Sequence, residues 1–369
     1  PLPTSLNGGI GGTGGDQFGH SVSISSDGNF LAVSAISDDS NSEGIFNSQQ
    51  IDNNGISIGA VHIYKIVNGA WTFTNFIKPD WNGEGENAGD DPNDNNFYKY
   101  YGIAFGSVVE FDDDGDTLLV TAEKEDGADE GVVVNNTKSF VNSSGSSTAW
   151  SGAAYVFSRN GEEWSQQAYL KATNPGASDF FGRDATISGD GKVVAIAAEG
   201  EDFNSNEILT GSNMPTELTS NNAKNNSGAV YVYRYEDDSW AVDAFIKAPN
   251  SYPGAKISSV SLNTDGSYLL VGSSQERSFL EGINPELPTN SEMQDFESGS
   301  RNKLGAAYLY KYNSNWYFSS FLKNINPRNS DWFGDIVKIS GSGNTLSISA
   351  PLDEATNSGS QNEGVVLIY

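Results

Sequence analysis

Cysteine is absent from this 369-residue chain, which excludes disulfides and thiolate metal sites. Histidine is almost absent too. His20 and His62 stand alone and fall in different strand-like segments, an arrangement unsuited to a histidine-based zinc centre or catalytic triad. Basic residues are scarce: 20 lysines and arginines face 48 acids, for a formal charge of −28. A nucleic-acid partner would be repelled across most of such a surface, whereas divalent cations or basic partners would be attracted. No run of 18 apolar residues occurs, so no transmembrane helix is expected, and no convincing amphipathic helix is seen. The chain opens Pro1-Leu2-Pro3 without a charged, apolar leader and reads as a processed or trimmed chain.

What is present is glycine, 41 residues, and aromatics, 19 Phe, 16 Tyr and 7 Trp, enough for a large core in a turn-rich chain. Their placement is periodic. Phe18-Gly19, Phe105-Gly106, Phe181-Gly182 and Phe333-Gly334 each lead in ten residues to Gly28, Gly115, Gly191 and Gly343, and Lys256-Ile257 leads to Gly266 as a worn copy. The starts lie 87, 76, 75 and 77 residues apart, and repetition at a fixed period decides architecture before local propensity does.

Each copy holds four strand-like segments, termed a to d. Strand a of the first copy runs from Phe18 to Ile24 and strand b from Phe30 to Ala35, with Asp27-Gly28 between them as a two-residue hairpin signal. Strand c starts at Gly59, Gly152, Gly228, Gly305 and Gly364. Strand d carries Trp71, Trp164, Trp240 or Trp316 and ends at Lys78, Lys171, Lys247 or Lys323. Antiparallel units of this kind, repeated radially, predict an all-β, five-bladed β-propeller of four-stranded blades, one domain over residues 1–369. The fifth copy stops at Tyr369 before its strand d. Residues 1–15 are therefore expected to act as closing strand and linker of the last blade, the alternative being exchange of that strand between molecules into an oligomer or filament.

The Phe-Gly opening, the Ser349-Ala350-Pro351 end of strand b and the Gly-Ala-Val-x-x-Tyr strand c resemble the FG-GAP repeat family, which includes the propellers of integrin alpha subunits and many secreted bacterial surface proteins. The resemblance covers essentially residues 16–369. It implies an extracellular or cell-surface recognition or adhesion module without catalysis, its partner a glycan or protein. Two features depart from integrin-type members: five longer repeats replace seven shorter ones, and the calcium loop between strands a and b is missing. Calcium needs six to eight oxygens. Asp112, Asp114 and Asp116 come nearest to supplying them, the alternative being an acidic hairpin turn, and no other cofactor is expected.

The long b–c loops and the insertion at 79–104 fall on one face, rich in Asn, Ser and Gly, where a rigid scaffold carries function. Trp81, Phe97, Tyr98, Tyr100 and Tyr101 in the insertion suit sugar stacking or an aromatic protein contact, or else packing over the loop. An acidic ring, Asp38, Glu125, Glu201, Glu276 and Asp353, follows strand b and is expected to brace each long loop, the alternative being cation or basic-partner binding. Its neighbours are Asp39, Asp126, Asp202, Arg277 and Glu354. A glycosidase is the alternative to a non-enzymatic module, its carboxylates being Glu110, Asp184 and Asp335 on strand a. N-glycosylation sequons stand at Asn135, Asn142 and Asn225.

Overall fold

In the computed structural model, residues 15–40, 42–50, 58–80, 102–133, 148–216, 221–287, 303–353 and 364–369 are described. They form five β-sheets in an all-β, five-bladed propeller arrangement whose only described helix is the single 3-10 turn Gly211–Asn213. The chain divides into two compact units, Pro1–Arg183 and Asp184–Tyr369.

The first unit holds two complete sheets. One comprises β1 (Phe18–Ile24), β2 (Phe30–Ala35), β3 (Ile45–Phe46), β4 (Ala60–Val67) and β5 (Ala70–Ile77). The other comprises β6 (Phe105–Phe111), β7 (Thr117–Ala122), β8 (Val132–Val133), β9 (Ala153–Asn160) and β10 (Glu163–Leu170). The third sheet opens with β11 (Phe181–Ile187), which straddles the division. It continues through β12 (Val193–Ala198), β13 (Ile208–Leu209), β14 (Ala229–Glu236) and β15 (Ser239–Ile246). The fourth has β16 (Ser259–Leu262), β17 (Tyr268–Ser273), β18 (Ile283–Asn284), β19 (Ala306–Tyr312) and β20 (Trp316–Leu322). The last has β21 (Val337–Ile339), β22 (Leu346–Ala350) and β23 (Val365–Ile368).

The order within the first sheet is β1-β2-β4-β5-β3, and the next three repeat it. The expected four strands therefore gain a fifth: each long b–c loop turns back and lays two residues antiparallel along the outer edge of strand d. Such an addition shields an edge that would otherwise offer free N–H and C=O groups. The last blade has three described strands, and residues 1–14 of the expected closing segment 1–15 lie outside the described residues.

Strand b reads FLAVSA, TLLVTA or VVAIAA, nearly apolar throughout, because it lies mid-sheet and is buried on both faces. Phe30, Val61 and Ile63 of the first blade share a core with Phe105, Val109 and Phe111 of the second. In the second unit Val230 and Val232 share one with Ile257, Val260 and Leu262. Approach is too close for side chains where strand c begins. A Cβ on Gly152, at φ +85°, would lie 2.0 Å from the Phe181 carbonyl oxygen.

Two local expectations are revised. The a–b turn spans four residues, not two: Ser25 N–H reaches Phe30 O at 3.0 Å and Gly28 N–H reaches Ser25 O at 2.8 Å, with Gly28 left-handed at φ +71°. In the fourth copy Ile257, not Lys256, takes the place of the phenylalanine. Lys256 has the positive φ found before the phenylalanine at Gln17, Ala104, Phe180 and Trp332, and a Cβ on Gly228 would meet Ile257 N at 2.3 Å.

Candidate functional site

In the first four blades the long loops are set by one residue each, the lysine ending strand d. Its backbone N–H holds the two-residue outer strand: Lys78 donates to Gly44 O at 2.9 Å, Lys171 to Gly131 O at 2.8 Å and Lys323 to Gly282 O at 2.9 Å. Its ammonium turns inward to the ring acid. Nζ–carboxylate distances are 2.9 Å for Lys78–Asp38, 2.6 Å for Lys171–Glu125, 2.6 Å for Lys247–Glu201 and 2.7 Å for Lys323–Glu276. All eight side chains are buried.

Two buried charges survive only if further hydrogen bonds complete their shells. They do here. Glu125 also accepts the Tyr169 hydroxyl at 2.7 Å, and Lys171 also donates to Ser151 Oγ at 2.9 Å. Glu276 accepts Asn250 Nδ2 and Ser278 N–H, both at 3.0 Å, while Lys323 donates to Gly305 O at 2.6 Å. Burial is the leading cause that lowers the Lys323 pKa, with Glu276 opposing it. The acid's own carbonyl then takes the N–H of the glycine opening strand c, as from Gly59, Gly152, Gly228, Gly305 and Gly364. In the first four blades the ring acid is thus an internal brace at both ends of the long loop rather than part of an exposed anionic surface. Asp353, in the last blade, accepts Asn324 Nδ2 at 2.7 Å.

The neighbouring column also serves the loops. Asp126 accepts Trp150 N–H and Asp202 accepts Asn226 N–H, each at 2.6 Å, steadying two left-handed residues. Burial pushes the Asp126 carboxyl up to about 6, against the Trp150 hydrogen bond. Asp331, two residues before Phe333, is pushed up to about 6 by burial, with Asp353 adding to the rise.

Sequence inspection missed both the outer strands and the Lys–acid partnership, although a signal was present. Asp38 to Ile45, Glu125 to Val132, Glu201 to Ile208 and Glu276 to Ile283 are all seven residues. Beyond the outer strand the loops differ: Phe46 to Gly59 is 13 residues, Val133 to Gly152 and Leu209 to Gly228 are 19, and Asn284 to Gly305 is 21.

Asp112 is occupied by its own turn. Asp112 is buried and accepts the N–H groups of Asp116 at 2.9 Å and Thr117 at 3.1 Å, and Asp116 pairs with Arg159. Burial raises the Asp112 pKa against those bonds. Asp112, Asp114 and Asp116 therefore do not assemble the oxygen shell calcium needs. Among the described residues no group of three or more histidine, aspartate or glutamate side chains is placed to hold a metal ion.

Of the strand-a carboxylates, Asp184 is the best defined. Its Oδ2 accepts Val260 N–H at 2.9 Å and its Oδ1 accepts Ala185 N–H at 3.0 Å; burial is the leading cause that raises its pKa. In other blades a hydroxyl at this position accepts the same blade-to-blade bond. Ser21 takes Val109 N–H at 3.1 Å and Ser259 takes Val337 N–H at 3.2 Å. Glu110, on β6, and Asp335, just before β21, are half-buried. Trp81, Phe97, Tyr98, Tyr100 and Tyr101, with Asn135, Asn142 and Glu354, lie outside the described residues. Asn225 is exposed. No described helix is long and apolar enough to cross a membrane.

Several solved structures are similar to this chain at low identity. Hydrazine synthase from Kuenenia stuttgartiensis is 13% identical, with a TM-score of 0.42 over 90% of this chain and 61% of its own. A Bacteroides uniformis protein described as a candidate 6-phosphogluconolactonase is 14% identical, with a TM-score of 0.38 over 95% of this chain and 88% of its own. A periplasmic gluconolactonase from Pseudomonas aeruginosa is 11% identical, with a TM-score of 0.40 over 89% of this chain and 64% of its own. This chain thus spans less than two thirds of the hydrazine synthase and gluconolactonase chains. The expectation of a non-catalytic module is corrected: proteins named as enzymes stand among those to which this chain is similar. The likeness is one of backbone only, and no residue role carries over. No curated protein sequence matches the chain. The FG-GAP repeat family matches residues 164–213, from strand d of the second blade to the end of the outer strand and 3-10 turn of the third.

Proposed function

We propose that this chain is an extracellular or cell-surface propeller that engages a glycan or protein through its long b–c loops and the 79–104 insertion. One observation carries the reading. The seven residues from ring acid to outer strand are constant, whereas the segment beyond varies from 13 to 21 residues. A uniform frame holding non-uniform loops is the division of labour of recognition scaffolds. The aromatic set Trp81, Phe97, Tyr98, Tyr100 and Tyr101 supplies stacking surfaces to a ligand at that insertion. A glycan array and a pull-down against surface proteins test it. Binding that disappears with Trp81→Ala, or with residues 134–147 replaced by a short Gly-Ser linker in a chain of unchanged melting temperature, supports the reading; binding untouched by both sinks it.

A second reading, hydrolysis of a glycosidic bond, rests on Asp184, a carboxyl on strand a where other blades carry a hydroxyl and whose pKa burial raises, since such chemistry needs an acid beside a second carboxylate. Asp184 would be the acid, with Asp335 as its partner in the same unit. Turnover of a glycoside panel that Asp184→Asn abolishes while binding persists would establish it.

A further inference from the structure

Inside the second unit, the fourth blade adds a carboxamide to its buried lysine–acid pair. Asn250 lies between β15 and β16, Glu276 follows β17, Tyr308 is on β19 and Lys323 ends β20; all four side chains are buried. The two oxygens of Glu276 are divided between an amine and an amide. Oε2 accepts Lys323 Nζ at 2.7 Å, and Oε1 accepts Asn250 Nδ2 at 3.0 Å. The carbonyl oxygen of the same carboxamide accepts the Tyr308 hydroxyl at 2.6 Å. Phe321 closes the space, its ring centroid 5.9 Å from Nζ and 5.3 Å from that of Tyr308. Other ring acids are partnered differently. Asp38 takes the Ser40 hydroxyl and Glu125 the Tyr169 hydroxyl beside their lysines, while Asp353 holds the Asn324 carboxamide with no lysine on it among the described residues.

We propose that this chain joins Lys323 to Asn250 by an isopeptide bond, with Glu276 as proton carrier and the Tyr308 hydroxyl holding the oxyanion. An amine attacks only as the free base, and burial lowers the Lys323 pKa, with Glu276 opposing it. Its first proton passes to Glu276 along the 2.7 Å contact. The Nζ lone pair then forms a bond to Cγ of Asn250, and the carbonyl electron pair moves onto Oδ1, where Tyr308 already donates. Burial holds the Tyr308 pKa well above its ordinary value, so the phenol keeps the proton it donates. Once Cγ is tetrahedral, Nδ2 has a lone pair to accept a proton. Glu276 carries two protons in turn from Nζ to Nδ2, the Cγ–Nδ2 bond breaks, and ammonium leaves with the carboxylate restored. The new bond encloses β16 to β20 in one covalent loop, a constraint that this cysteine-free chain cannot draw from disulfides.

Intact mass of the full chain under denaturing conditions, followed by tryptic peptide mapping, tests the proposal. The expected result is a chain lighter than its sequence by one ammonia, with no cleavage after Lys323 and a branched peptide joining it to the segment that holds Asn250. Asn250→Ala and Glu276→Gln chains are expected at full sequence mass, and an Asn250→Asp chain lighter by one water, because the same carbon then loses a hydroxyl. Tyr308→Phe, refolded from urea, should acquire the link about a hundredfold more slowly. Wild-type protein at full mass overturns the proposal, as does a missing ammonia mapped to an unbranched peptide, the mark of a succinimide; neither result depends on whether a variant folds. A branch that survives Asn250→Ala or Glu276→Gln overturns it too.

Discussion

The first and second blades place the same backbone around different chemistry. In the second, Glu125 gathers Lys171 and the Tyr169 hydroxyl, and Tyr155 occupies the strand-c position beside them. In the first, the acid is the shorter Asp38, Phe76 stands for Tyr169 and His62 for Tyr155. The lysine still reaches its acid, at 2.9 Å. The imidazole, however, sits edge-on among Phe18, Phe73 and Phe76 at 5.2, 6.2 and 5.1 Å, and neither nitrogen has a hydrogen-bond partner among the described residues. Burial pushes its pKa down to about 4, Asp38 opposing and Lys78 assisting. The frame therefore depends on the lysine–acid contact and tolerates exchange of everything around it. What the exchange alters is the response to pH.

The largest effect that would sharpen this contrast is Lys171→Met. Stranding Glu125 without its cation costs about 4 kcal/mol in urea unfolding. Lys78→Met should cost less, because the Asp38 side chain retains 9% exposure against none for Glu125; an equal loss would break the comparison. Next comes pH. The unfolded imidazole binds its proton near 6.5 and the folded one near 4, so His62 contributes stability above pH 6.5 that declines as pH falls and is gone below 4. The span is about 3 kcal/mol. Asp126 and Asp331, raised to about 6, act in the opposite sense over the same window, so the readout is the difference between wild type and His62→Tyr. A difference that is flat with pH would refute the assignment.

A smaller contrast lies in the glycines. Gly152→Ala drives a Cβ against the Phe181 carbonyl, whereas Gly69→Ala, at φ +77°, meets open space. The hairpin variant should lose about 1 kcal/mol to its left-handed backbone alone and the strand-opening variant about 3. Smallest is Lys65→Ala, which breaks a surface pair with Glu162 and should shift stability by at most about 0.5 kcal/mol.

The propeller was legible because Phe181-Gly182 and its copies recur with strand-length apolar runs between them, and sequence periodicity is what such a fold is made of. The outer strands were not. Ile45-Phe46 or Ile283-Asn284 is too short to show alternation, and its partner strand is set by the return of a loop rather than by local pattern. The Lys171–Glu125 bond escaped because its members lie 46 residues apart in columns that each have an ordinary separate explanation. The slip at Lys256 has a similar cause. Counting from Gly266 gives the turn's register, but strand a of that blade is one residue shorter at its start, a change visible only in where Ile257 packs.

The two-residue outer strand has a consequence for engineering. Because it fastens each of the first four long loops seven residues beyond the ring acid, everything past it returns to strand c as a separate closure between two fixed posts. Closure entropy grows only slowly with length, so inserted sequence there costs the blade little. Foreign peptides spliced after Phe46, Val133, Leu209 or Asn284 should be displayed without disturbing the buried pairs, while a single residue added before those strands would slide the register and expose an edge.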